Sequence, residues 1–318
     1  MTDPSYPIDP ELAPRLEFVA LFDFTDHEAA RAGMIRGLAY QPPYEPPVPL
    51  TVRDELVPGP TDAPPVAVRV HRPAGQDEVP GLLYLHGGGF VLGSIAASDA
   101  DARRLAAETG AAVVLVEYRL APEHPYPAAL DDCFAALEWV TKNAAGLGID
   151  ATRIGVFGES AGGALAAALT LLTRDRGGPD LCFQCLLTPV LDDRLLTESM
   201  RAYTDTPGWS RPDAELSWDH FLGDGVRGRG DVSCYAAPAR AEDLSGLPPA
   251  FVGAAQFDPL RDEAIVYAQR LAQAAVLTEL HLYPGTFHGA NQGSRAAVAI
   301  RMNADVITAL CQGLHHPC

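Results

Sequence analysis

Gly158-Glu159-Ser160-Ala161-Gly162 sets a serine between two glycines, with the apolar run Arg153-Ile154-Gly155-Val156-Phe157 before it and an alanine-rich stretch, Gly163 to Leu172, after it. The order reads as strand, sharp turn, helix. A serine at such an apex takes a strained backbone conformation, and glycines two residues to either side remove collisions with the adjoining strand and helix. Its hydroxyl is then lifted clear of the sheet, ahead of a helix N-terminus whose dipole favours negative charge. That geometry suits a nucleophile. A G-x-S-x-G pattern arises by chance in about one chain in ten of this glycine content, so its surroundings must decide.

An activated serine needs a base, a group to orient that base, and donors for an oxyanion. Donors are offered by Leu85-His86-Gly87-Gly88-Gly89-Phe90, where three glycines follow an apolar strand and consecutive N–H groups can face one oxygen. The N–H groups of Gly88 and Gly89, with that of Ala161, are the expected oxyanion hole, and His86 is expected to shape the loop. Among nine histidines, His288 is the expected base, because Phe287-His288-Gly289 lies between the last strand and the last helix; His281, inside that strand, reads as structural. Asp258, in Phe257-Asp258-Pro259-Leu260, stands at the carboxyl end of another strand and is the expected orienting acid. Asp262 and Glu263 fall at the start of the next helix, where carboxylates commonly serve the helix dipole. The chain order serine, acid, histidine is the α/β-hydrolase order.

The elements that must hold these residues follow a regular rhythm. From Gly81 onward, apolar strands alternate with helices, which predicts a mostly parallel sheet covered on both faces. Strands are expected at 82–86, 112–117, 154–157, 183–187, 250–254 and 279–283, with helices at about 98–108, 127–143, 161–174, 261–275 and 295–313. Two earlier strands, 50–57 and 66–72, suggest an antiparallel edge. Residues 10–22 and 26–38 read as amphipathic segments before the proline cluster Gln41 to Pro47. Between 192 and 237 the rhythm breaks in a stretch too long for an ordinary connection. The expected organisation is a cap from residues 1–47 and 192–237 on a catalytic domain of 48–191 and 238–318. Tyr203, Trp209, Trp218 and Phe221 of the inserted stretch could line an acyl pocket or form the core of the cap itself.

Composition excludes several partners. A net charge of −18 repels phosphate backbones and anionic lipid surfaces, which argues against nucleic acid. No apolar run approaches the about 18 residues of a membrane helix, and the N-terminus lacks the basic-then-apolar order of a signal peptide. Of six cysteines, only Cys182 and Cys185 are close together. On a strand this spacing points the two thiols to opposite faces, so they are expected to be buried strand residues rather than zinc ligands. Cys318 is an expected free thiol, and the whole usage fits a cytoplasmic setting.

Taken together, His86 to Phe90, Tyr118-Arg119-Leu120-Ala121-Pro122-Glu123-His124-Pro125-Tyr126-Pro127-Ala128, Gly158 to Gly162, Asp258 to Glu263 and Phe287 to Gly289 resemble the hormone-sensitive-lipase-like esterases over roughly residues 48–190 and 237–318. The resemblance implies an α/β-hydrolase fold with a helical cap, and a carboxylesterase with the triad Ser160, Asp258 and His288. It also implies no metal or organic cofactor, a small-molecule ester substrate of short to medium acyl chain, and frequent homodimerisation. One residue departs from the family: Glu159 stands where aspartate is usual. Amide, lactone or specialised-ester hydrolysis on the same triad, and a non-catalytic ligand receptor, remain as alternatives.

Overall fold

Among the described residues of the computed structural model, which are 6–19, 23–38, 44–61 and 63–315, eight strands form one sheet. They are β1 (Leu50–Val57), β2 (Val66–Pro73), β3 (Val79–Leu85), β4 (Ala112–Glu117), β5 (Ile149–Glu159), β6 (Phe183–Leu187), β7 (Ala250–Phe257) and β8 (Thr278–Phe287). The spatial order is β1-β2-β4-β3-β5-β6-β7-β8. β1 pairs with β2, and β2 with β4, in antiparallel fashion, while all pairs from β4 to β8 are parallel. This is the predicted architecture: an antiparallel edge leading into a parallel sheet.

Parallel strands covered on both faces must be apolar at every position rather than every second one. β3 obeys this, with all seven residues buried. Its Leu83 and Leu85 join a core with α3 (Ala128–Leu147), α4 (Ala161–Arg176) and α7 (Arg261–Gln273), while Leu82 and Tyr84 join another with α2 (Ile95–Thr109) and α8 (Ala297–His315). Side-chain alternation along one strand thus feeds two layers of helices.

Helix ends follow local chemistry. The Ser94 hydroxyl caps α2 by accepting from the Ala97 N–H at 3.1 Å, and Gly110 ends that helix in the left-handed conformation. α5 (Glu198–Ala202) and α6 (Arg211–Leu222) occupy the stretch between β6 and β7, which has no strand, as its sequence suggests. α6 opens with a capping box between Ser210 and Asp213. Nearer the N-terminus, α1 spans His27–Leu38, and the described part of the segment expected at 10–22 forms a 3-10 helix over Ala13–Phe18, residues 20–22 lying outside the described residues. Pro14 is tolerated in its first turn, where no intrahelical N–H is needed, and the extended backbone at Val19 ends it. The first half of the proline cluster and Cys318 lie outside the described residues. Cys185 is buried in β6, and Cys182 is half-buried just before it.

Candidate active site

Ser160 stands at the turn between β5 and α4 with φ 57° and ψ −121°, the strained conformation its motif implies. Side chains cannot fit at the flanking glycines: a Cβ at Gly158 would strike the Gly162 carbonyl, and one at Gly162 would strike the Leu85 carbonyl. The turn is also fastened to β6, with the Ser160 N–H donating to the Leu187 carbonyl at 2.9 Å. Backbone pairing in the sheet therefore helps hold a conformation that the serine alone would not choose.

Two residues from the ends of other strands converge on it. His288, one residue past β8, places Nε2 3.0 Å from Ser160 Oγ. Its Nδ1 lies 2.7 Å from Asp258 Oδ2, one residue past β7. Asp258 is buried, and its second oxygen accepts the Leu260 N–H at 2.9 Å. With a carboxylate facing Nδ1, that nitrogen carries the proton and leaves the Nε2 lone pair toward the serine. Burial works to lower the His288 pKa, but the charge and hydrogen bond of Asp258, with smaller contributions from Glu159 and Asp213, outweigh it and the net shift is upward. The arrangement can abstract a proton from the serine and stabilise the resulting imidazolium.

In front of it lies the glycine loop after β3, with Gly88 at φ 124° and Gly89 at φ 60°. Val91 and Leu92 N–H groups donate to the Gly88 carbonyl at 3.1 and 2.8 Å. The His86 ring meets the Gly87 carbonyl at 2.9 Å through Nδ1, and the Tyr118 hydroxyl donates to the His86 carbonyl at 2.6 Å. Burial pushes the His86 pKa down to about 4, so its ring is neutral and carries its proton on Nδ1. Ala161 begins α4 directly after Ser160, so the three expected donors lie on the glycine loop and at the N-terminus of that helix.

The expected pocket aromatics separate. Trp209 stands against the His288 ring at 5.7 Å and against Phe24 of the N-terminal segment at 5.3 Å. Trp218 and Phe221 instead pack on Phe90, with Phe221 stacked at 3.9 Å. Tyr203 lies in a cluster with Tyr6, Phe257 and Arg261. His281 lies elsewhere, between Glu279 and Asp305 on β8 and α8.

Three side chains make contacts that no sequence motif specifies. Glu159 points away from the serine into a cavity of about 250 Å³ lined by Tyr84, Asp101, Arg104 and Asn303 among others, where Gln292 donates to its Oε1 at 3.2 Å. Gln292 sits four residues after His288, so Glu159 holds the loop that carries the histidine. Burial, reinforced by the Asp101 charge, raises the Glu159 pKa. Glu263 does start α7, as expected, but it is buried and accepts the Leu191 N–H at 2.6 Å, fastening that helix to the chain where it leaves the sheet. Ser217 on α6 donates to the Gly89 carbonyl at 2.7 Å.

A parallel sheet with a serine elbow, an acid and a histidine at its strand ends defines a hydrolase of the α/β type. The α/β-hydrolase-fold family profile matches residues 82–292. The chain belongs to that family, among its hormone-sensitive-lipase-like esterases. It is 42% identical to the carboxylesterase NlhH of Mycobacterium tuberculosis, over 91% of each chain. It is 34% identical to an ethyl acetate hydrolase of Pseudomonas putida, over 81% of this chain and 79% of that one. A solved structure of a bacterial heroin esterase superposes with a TM-score of 0.93 at 45% identity, covering 97% of this chain and 98% of that one. The family resemblance drawn from the motifs is thereby established. No helix among the described residues is long and apolar enough to cross a membrane.

Proposed function

We infer that this carboxylic-ester hydrolase cleaves short- to medium-chain acyl esters through an acyl-enzyme on Ser160. His288 takes the Ser160 proton as the hydroxyl oxygen attacks the ester carbonyl, and Asp258 holds the imidazole in the tautomer that leaves Nε2 free. Negative charge on the tetrahedral oxygen falls to the N–H groups of Gly88, Gly89 and Ala161. Protonated His288 then gives its proton to the departing alkoxide, and water repeats the sequence on the acyl-enzyme to release the acid. The observation that carries this reading is His288 spanning 3.0 Å to Ser160 and 2.7 Å to Asp258.

Small acyl groups are favoured by the crowding of Trp209 and Phe24 around Gly89, where even a Cβ would touch both rings. The ethyl acetate hydrolase among the relatives supports the same choice. Residues 1–47 and 192–237 serve as the cap over a catalytic domain of 48–191 and 238–318. Five free cysteines among the described residues support work in the cytoplasm, and homodimerisation is carried over from the family.

The test is hydrolysis of p-nitrophenyl esters from acetate to palmitate by the wild type and by Ser160→Ala. A maximum at short chains, with kcat reduced about a millionfold by the substitution, is the expected result. A folded wild type silent on every ester would overturn the reading.

A further inference from the structure

In a trans peptide the C=O and the following N–H point in opposite directions, so whatever holds a carbonyl also aims the next N–H. The loop after β3 shows four carbonyls held in succession. The Gly87 carbonyl is met by the His86 ring, that of Gly88 by the Val91 and Leu92 N–H groups, and that of Phe90 by the Ala121 N–H at 3.0 Å. Only the Gly89 carbonyl is held from outside the sheet and its flanking loops, by the Ser217 hydroxyl of α6 at 2.7 Å. Ser217 is fully buried, and its partner is 128 residues away in the chain.

The same helix holds the next residue. Phe90 has φ 62°, a left-handed conformation that a bulky residue avoids. Its ring is stacked on Phe221 at 3.9 Å and lies 5.6 Å from Trp218. Residues 217, 218 and 221 share one face of α6, so one helix supplies both a polar tether to Gly89 and an apolar seat for Phe90. Of the three consecutive positive φ angles at residues 88–90, only that of Phe90 is strained, and these contacts from α6 add to the backbone hydrogen bonds that oppose its relaxation.

We propose that Ser217 is a positioning residue for the oxyanion hole: the Gly89 carbonyl belongs to the peptide that carries the Phe90 N–H, one beyond the hole, so α6 acts by pinning the far side of Gly89 and with it the loop whose Gly88 and Gly89 N–H groups receive the developing charge. The hole is then complete only while this helix is docked, which couples cap position to the chemical step. The inference rests on the serine acyl-transfer reading above.

A trifluoromethyl ketone tests it, because Ser160 adds to its carbonyl and leaves an oxyanion in the hole. Ser217→Ala should lower kcat for p-nitrophenyl acetate about tenfold, less than the 10²–10³ of losing a donor outright. KM should stay within about twofold, since substrate binding does not use the tether. The ketone Ki should rise by the same factor as kcat/KM falls, and Ser217→Cys, with its weak S–H donor, should fall between the two. The acid limb of the pH profile should not move, because His288 is untouched. A Ser217→Ala enzyme with wild-type kcat and ketone affinity would overturn the proposal, as would a loss of rate with unchanged ketone affinity. If the alanine variant fails to fold, the near-isosteric cysteine variant carries the same comparison. A wild type that neither hydrolyses the ester nor binds the ketone would instead defeat the acyl-transfer reading itself.

Discussion

His288 faces three carboxylates, Asp258 by direct hydrogen bond and Glu159 and Asp213 through space, and together they hold its pKa up against burial. Glu159 is the informative one. It touches neither serine nor histidine, yet its charge acts on the imidazole and its hydrogen bond to Gln292 steadies the loop behind it. Glu159→Gln keeps an oxygen for Gln292 and removes only the charge. The base must be neutral to accept the Ser160 proton, and losing a nearby anion makes the neutral form easier to reach, so the His288 pKa falls. The acid limb of kcat/KM, which reports the free enzyme, is therefore expected to move to lower pH in this variant. A pH–rate profile with an unmoved or raised acid limb would show that Glu159 acts on the loop alone.

At the scale of elements, the Tyr118 to Ala128 stretch joins β4 to α3. Asp132, almost fully buried on α3, accepts from the Arg119 N–H at 2.9 Å, from Nε at 2.8 Å and from Nη2 at 2.8 Å. Asp132→Asn removes the charge and sets an NH2 donor where one carboxylate oxygen accepted from Arg119, leaving a single acceptor oxygen on this side chain. Breaking a buried pair costs about 3–5 kcal/mol, and partial exposure of Arg119 places the expected loss near the lower figure. Urea titration should show it as a lower midpoint at unchanged slope, with activity per folded molecule retained. A midpoint equal to that of the wild type would remove this pair from the bracing of the loop. What the sequence disclosed about elements has a physical pattern. Strands such as β3 and β4 and helices such as α4 were legible because local periodicity and glycine punctuation dictate them. Ser160, Asp258 and His288 were legible because each sits where a strand ends, a position the local pattern marks. The 3-10 helix at 13–18 was not legible because apolar spacing marks an amphipathic segment without reporting whether its backbone bonds close over three residues or four. Ser217 was invisible for another reason. A serine on a helix has no motif, and its meaning comes from a carbonyl that only the folded chain brings within reach.

Over the whole molecule, 41 acidic residues against 23 basic ones give a net charge of −18, and the site lies inside that field rather than apart from it. Asp258, Glu159 and Asp213 add the same sign close to His288. A low-dielectric cleft lined by one sign of charge focuses the field on what enters, so an ester bearing a carboxylate should be repelled on approach while a neutral ester is not. Salt separates this effect from pocket fit. Between about 10 mM and 150 mM NaCl the Debye length shrinks from roughly 30 Å to 8 Å, which screens distant charges but leaves contacts inside the site nearly unchanged. The expected result is that kcat/KM for p-nitrophenyl hemisuccinate rises several-fold over this range, whereas that for p-nitrophenyl acetate stays nearly constant. Equal responses of the two esters would mean that the global field does not reach the entrance. A fall for the anionic ester would mean that attraction at the entrance itself outweighs the field of the molecule around it, and anionic esters would then belong among its preferred substrates.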